Sequence, residues 1–280
     1  MKNTVSRTIQ LFFFAFILIG CNAQDDNKPF TQNTVAHTND NQQDVPAVVD
    51  KPQIVENIPL PEGYTRIAVD SASFGFFLRN IRIDSNNTVY YFNGEKKYSQ
   101  NLHYAILAFD IGTRDLQQCA DAVMRLRAEY LYWLQDYGKI HFNFVSDGKP
   151  RYFDKYSRGD YSRKNFRKYL DYIYSYANTR SLKAELLPVD SIQNIMPGDV
   201  FIQSGNPYGH AVTVIDVAIN TQNDDKIFMV CQSFMPAQSI HILKNLENHK
   251  LSPWYSTKEC SPLKTPEWTF DAKDLRRFAE

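Results

Sequence analysis

Met196-Pro-Gly-Asp-Val-Phe-Ile202, His210-Ala-Val-Thr-Val-Ile-Asp-Val-Ala-Ile219, Lys226-Ile-Phe-Met-Val-Cys231 and Ser239-Ile-His-Ile-Leu243 follow one another in the last third of the chain. Each run is rich in β-branched and aromatic residues and is bounded by Gly, Pro, Asn, Asp or Ser, which is the pattern of strands. Asn220 to Asp225 is a polar turn between the second and third runs. Four strands in a row joined this way predict an antiparallel meander. Helical patterns dominate the middle of the chain, and helices followed by a meander give an α+β class.

The strongest helical pattern runs from Leu116 to Gln135, with Leu116, Cys119, Val123, Leu126, Tyr130 and Leu134 as an apolar stripe. Asp115 with Gln118 predicts a capping-box start, which puts Cys119 a full turn inside the helix. Asp121 and Arg125 sit one turn apart on another face. A second helix is predicted over Tyr161 to Asn178. One face of it is core, and Arg158, Arg163, Arg167 and Lys168 form a solvated basic side or a ligand platform. Upstream, Ser71 or Ser73 caps a helix carrying Phe74, Phe77, Leu78 and Ile81. Gly63 to Val69, Thr88 to Phe92 and Leu102 to Asp110 read as strands, and Asn93-Gly94 as a tight turn. The tail from Ser252 is a Pro- and Trp-bearing wrap with a short helix near Lys273 to Phe278.

The N-terminus carries a different message. Lys2 and Arg7 precede the apolar run Leu11 to Ile19, which is too short to span a bilayer and reads as a leader. Leu18-Ile19-Gly20-Cys21 resembles the lipobox of bacterial lipoproteins. That resemblance implies removal of residues 1–20, diacylation of Cys21 (palmitate being a typical chain) and attachment to a membrane through the lipid, which several acyl chains make firm. Residues 21–57 are polar and low in large apolar groups, so they predict a tether without a packed core. Residues 58–280 form one α+β domain. Asn22 after the lipidated residue points to the outer membrane of the cell envelope, and Gln24-Asp25-Asp26 resembles the acidic export tag of surface-exposed lipoproteins.

Composition excludes several classes. The chain has 31 basic and 31 acidic residues, so no basic excess drives nucleic-acid binding. No phosphate-cradling loop and no C-x-x-C or H-x-x-x-H spacing appears, so no metal and no cofactor are expected. Beyond Cys21, three cysteines remain, Cys119, Cys231 and Cys260; an odd number rules out a full disulfide framework. A Cys231–Cys260 bridge is compatible with an oxidising envelope. Asp110, Asp121 and Glu129 are carboxylates for glycoside cleavage only if the fold gathers them.

The turn Met196-Pro197-Gly198-Asp199 into an apolar strand, with Gly209-His210 opening the next, resembles cell-wall amidohydrolases of the NlpC and CHAP type. The resemblance covers mainly residues 196–242. It implies a papain-like domain with helices packed on an antiparallel sheet, His210 as base and Gln232 as the group that orients it. Cys119, the one non-lipid cysteine on an upstream helix, would be the nucleophile. The chemistry needs such a trio, because a free thiol is mostly protonated at neutral pH and a neighbouring imidazole is what activates it. The flanking Gln118-Cys119-Ala120-Asp121 departs from the signature of those enzymes, and a buried structural Cys119 is an equal reading. Gln117 to Ala122, Arg125 to Tyr130, Gln232 to Gln238 and Ser252 to Tyr255 together resemble an uncharacterised family of bacterial lipoproteins, a domain of unknown function, over nearly all of residues 58–280. Two functions are therefore expected. One is a cysteine amidohydrolase or peptidase acting on peptidoglycan peptides through Cys119, His210 and Gln232. The other is a non-catalytic binding module for an envelope glycan, peptide or partner, with Gln238, Trp254, Tyr255 or Trp268 near its cleft.

Overall fold

The computed structural model describes residues 53–205 and 208–279; the leader, Cys21 and nearly all of the expected tether lie outside the described residues. The elements are β1 (Thr65–Arg66), α1 (Phe74–Arg79), β2 (His103–Ile106), α2 (Cys119–Trp133), β3 (His141–Asn143), β4 (Pro150–Tyr152), α3 (Phe153–Ser157), α4 (Arg163–Tyr174), α5 (Thr179–Glu185), β5 (Leu187–Pro188), β6 (Val200–Gln203), β7 (His210–Asn220), β8 (Asp225–Gln232), β9 (His241–Leu243), β10 (Tyr255–Ser256), β11 (Leu263–Lys264), β12 (Thr269–Phe270) and β13 (Leu275–Arg277).

The predicted meander is the heart of the main sheet, whose order is β2-β9-β8-β7-β6-β13-β5, with β1 added on β7 and β10 on β8. Every pairing in it is antiparallel. Helices and antiparallel sheet together make the domain α+β.

Strand residues alternate between two faces, and the core divides accordingly. On one face Val200, Ile202 and Ala211 pack with Ala120, Val123 and Met124 of α2 and with α4. Ile215, Met229, Cys231 and Ile242 continue that face against Ala122 and Leu126. On the other, Phe201, Val212, Val214, Phe228 and Val230 pack against Leu263, Phe270 and Leu275 of the C-terminal segment. The sheet is thus the middle of three layers, with helices on one side and the chain's tail on the other.

One ion cluster ties the first elements to the sheet. Asp216, with a fully buried side chain, accepts from Arg66 Nε at 2.6 Å and Arg79 Nε at 2.7 Å, and Val217 N donates to its Oδ1 at 2.9 Å. Removing one member of such a buried group costs about 3–5 kcal/mol, because the remaining charge is left unmatched.

Several local expectations change. The predicted strand at Thr88 to Phe92 makes only isolated bridges, Tyr90 with Lys96 and Tyr91 with Gln238. The helix near Lys273 becomes a short 3-10 turn, Ala272–Asp274, running into strand β13, because an open edge beside β6 takes those residues into the sheet. Val55, inside the expected tether, is fully buried in the core with Leu78 and Trp254, so the folded part begins before Ile58. Cys231 and Cys260 are both buried and free. They lie in clusters on opposite faces of the sheet, and no bridge joins them. Among the described residues no helix is long and apolar enough to cross a membrane.

Candidate functional site

Cys119 is the first residue of α2, and Gln118 is its N-cap. The expected cap, Asp115, is used elsewhere: its Oδ1 accepts from Ala237 N at 2.7 Å and from Gln118 Nε2 at 3.0 Å. Asp121 takes over the return contact, its Oδ2 accepting from Gln118 N at 3.1 Å. Cys119 therefore has the helix-start position that lowers a thiol pKa in papain-like enzymes. Here burial wins. The residue is 6 % exposed, and burial first, with the Asp121 charge second, pushes the thiol up to about 11 against opposing backbone N–H groups. Its Sγ rests 4.0 Å from the Gly209 carbonyl oxygen.

The structure brings His210 and Gln232 together. His210 Nε2 donates to Gln232 Oε1 at 2.8 Å, and Gln232 Nε2 donates to Glu267 Oε2 at 2.7 Å. Glu267 in turn holds Lys97 Nζ at 2.6 and 2.7 Å. Lys97 and Glu267 were not visible in the sequence as partners of this histidine, because they come from segments 170 residues apart. The ring lies among Phe234, Trp268 and Phe270, with centroids at 4.8, 5.3 and 5.8 Å. His210 is 1 % exposed, and burial pushes its pKa down to about 4 despite the Gln232 bond. Its Nδ1 finds no hydrogen-bond partner among the described residues.

Cys119 is not brought to that ring. Ala211 belongs to the face beneath α2, whereas Val212 and Val214 belong to the opposite face with Phe270. His210 stands two residues from Val212 on the same strand and so shares its face. The ring contacts with Trp268 and Phe270 agree with this. The sulfur lies on the helix side of β7 beside the Gly209–Ala211 backbone, and the imidazole lies on the tail side.

What Cys119 does line is a cavity of about 220 Å³ at the start of α2, together with Asp115, Gln118, Asp121, Tyr174, Asn178 and Tyr208. Two of these side chains have unmet polar atoms: Asp121 Oδ1 and the Tyr174 hydroxyl find no partner among the described residues. Arg125, expected beside Asp121, turns away to Glu129 at 2.9 Å, Gln117 at 3.0 Å and Asp110 at 3.2 Å.

The remaining candidates are structural. Trp254, Tyr255 and Gln238 are 1 %, 3 % and 1 % exposed. Trp254 Nε1 donates to the Pro59 carbonyl at 3.0 Å, and the Tyr255 hydroxyl to Lys244 O at 2.6 Å. They form core rather than a cleft rim; only Trp268 adjoins the histidine. Asp110 and Glu129 are matched by Arg125, Arg163 and Arg167, and no carboxylate pair suited to glycoside cleavage results. The expected platform on α4 has Phe166, Tyr169, Leu170, Ile173 and Tyr174 buried, so that face is core. Among the described residues no group of three or more His, Cys, Asp or Glu is arranged to hold a metal ion.

No curated protein and no solved structure matches the chain. A family model, Domain of unknown function (4846), matches residues 54–277, nearly the whole described domain, and the chain belongs to that family.

Proposed function

We propose that this chain is a cell-envelope lipoprotein, held by acyl groups on Cys21, whose folded part is a non-catalytic binding module presenting the cavity at the start of α2. The anchor rests on the basic, apolar and Leu-Ile-Gly-Cys leader. The binding reading rests on one observation above all: the Cys119 sulfur and the His210 ring occupy opposite faces of β7. A thiol that stays protonated at neutral pH, with no imidazole to take its proton, is a poor nucleophile. The Pro-Gly-Asp turn and the His210–Gln232 pair then act as a scaffold that positions the cavity. The motif resemblance to amidohydrolases over residues 196–242 fits either outcome, because activity belongs to the site and not to the scaffold.

The competing reading, a cysteine hydrolase of peptidoglycan peptides, is separable by thiol chemistry. Iodoacetamide is applied to the folded full chain at neutral pH and to the chain in urea, and modification is read by mass spectrometry at Cys119. In parallel, purified protein and a Cys119→Ala variant are incubated with peptidoglycan. The binding module predicts modification of Cys119 only after unfolding and no peptide release by either protein. Rapid labelling of the folded chain, with release lost in the variant, would establish the hydrolase instead.

A further inference from the structure

The cavity at the start of α2 is lined by two side chains with polar atoms that find no partner among the described residues. Asp121 is 7 % exposed and Tyr174 6 % exposed, and both line the cavity. One carboxylate oxygen of Asp121, Oδ2, is engaged by Gln118 N at 3.1 Å. The other, Oδ1, and the Tyr174 hydroxyl find no partner among the described residues. Buried polar atoms are almost always hydrogen-bonded, so two unmet ones at one cavity call for a third party.

The charge of the lining narrows what that party is. Asp115 and Asp121 contribute two carboxyl groups, and among the described lining residues there is no Lys, Arg or His; Arg125 and Arg167 act on the Tyr174 hydroxyl from outside the lining. The N-terminus of α2 would favour an anion, but its first turn already carries the protein's own carboxyl group, Asp121, folded back onto Gln118 N at 3.1 Å. The nearest turn of α2 carries Arg125, whose guanidinium is held by Glu129, Gln117 and Asp110. We propose that this cavity binds the primary ammonium group of a small ligand, with Asp121 Oδ1 as its charged acceptor and the Tyr174 hydroxyl as a second acceptor.

Physical chemistry supports that choice. Burial holds the Asp121 carboxyl well above the ordinary carboxylate range. An incoming ammonium supplies the missing opposite charge and a hydrogen-bond donor together, and such charge-assisted bonds are among the strong ones. The volume of about 220 Å³ falls below the roughly 300–1,000 Å³ of sites for drug-sized molecules. It suits an amine end group or a lysine-like side chain rather than a whole glycan.

The proposal rests on reading the cavity as a binding site. Its test is calorimetric titration of the full chain in detergent with 1,5-diaminopentane, and with pentan-1-ol and glutarate as neutral and anionic counterparts of similar length. The diamine is expected to bind and the other two to stay silent. Asp121→Asn should weaken the diamine by at least about tenfold and Tyr174→Phe by about threefold, the first losing a charged acceptor and the second a neutral one. Tyr174→Phe removes an unmet hydroxyl, so it keeps the test available if Asp121→Asn does not fold. Preference for glutarate, no diamine binding at millimolar concentration, or diamine affinity unchanged in Tyr174→Phe and in any folded Asp121→Asn would overturn the ligand class. Cys119-dependent release of peptide from peptidoglycan would instead overturn the binding reading itself, whichever probe binds.

Discussion

His210 combines the hydrogen-bond pattern of a base with the surroundings of a core residue. Its Nε2 is held by Gln232 and its Nδ1 has no partner among the described residues, yet three aromatic rings enclose it. The consequence is a pH signature. Burial depresses its pKa from 6.5 to about 4, so the unfolded chain binds a proton that the folded chain refuses throughout that interval. Stability from this residue is complete above about pH 6.5 and is lost as pH falls toward 4, at up to about 1.4 kcal/mol per pH unit. His241, pushed down to about 3 by burial, adds the same sign over the same interval and on down to about pH 3. Glu185, raised to about 7 by burial, works oppositely. Comparing a His210→Asn variant with its parent isolates the residue. Urea unfolding from pH 7 to 4 should show the variant losing less stability than the parent, by about 1 kcal/mol per pH unit; parallel profiles would contradict a buried, neutral His210. The identities of His210 and Gln232 as a pair were legible in the sequence because a strand opening and a strand end were recognisable. The direction of the ring was not, since it depends on the parity of the strand residues relative to the layer that α2 covers.

At the scale of elements, the Pro-Gly-Asp turn shows what the recognised motif does in this chain. Gly198 has φ +97°, and a Cβ there would come 2.6 Å from Phe74 Cδ1 of α1. Asp199 closes the turn by accepting from Met196 N at 2.8 Å and from Arg277 Nε and Nη2 at 2.6 and 2.8 Å. One motif thereby fixes α1, the start of β6 and strand β13, which lies between β6 and β5. Gly198→Ala should cost about 1–3 kcal/mol for the backbone alone, with a further loss from displaced Phe74, read as a lower urea midpoint at unchanged slope. Met196→Ala, at a half-exposed neighbour, serves as the control and should change stability by about 0.5 kcal/mol or less. α2 teaches the complementary lesson. Its apolar stripe was readable, but its start was misplaced by one turn, because Asp115 satisfies a backbone N–H at Ala237, more than a hundred residues away. A capping pattern in sequence cannot show that its side chain is committed to a distant loop.

At the scale of the whole molecule, the described domain is one three-layer unit with near-balanced charge, 31 basic and 31 acidic residues in the full chain. The first described residues already belong to the fold: Val55 N donates to Ile81 O at 3.0 Å and its side chain is fully buried. The proposed lipid attachment at Cys21 is directly testable. Growth of an expressing bacterial host on labelled palmitate should place label on the protein and sediment it with membranes. Cys21→Ser should abolish both, and a soluble, unlabelled parent would refute the anchor.

The α+β class, the four-strand meander and the two long helices were all legible in the sequence. These follow from local periodicity, turn chemistry and composition, which act over a few residues at a time. It took the packed fold to show that Cys119 and His210 face away from each other, that Lys97 and Glu267 join the histidine, and that Asp121 and Tyr174 share a cavity. Those relations depend on which face of each strand a layer covers and on contacts between remote segments. A one-residue change of parity would reverse them without altering any local pattern.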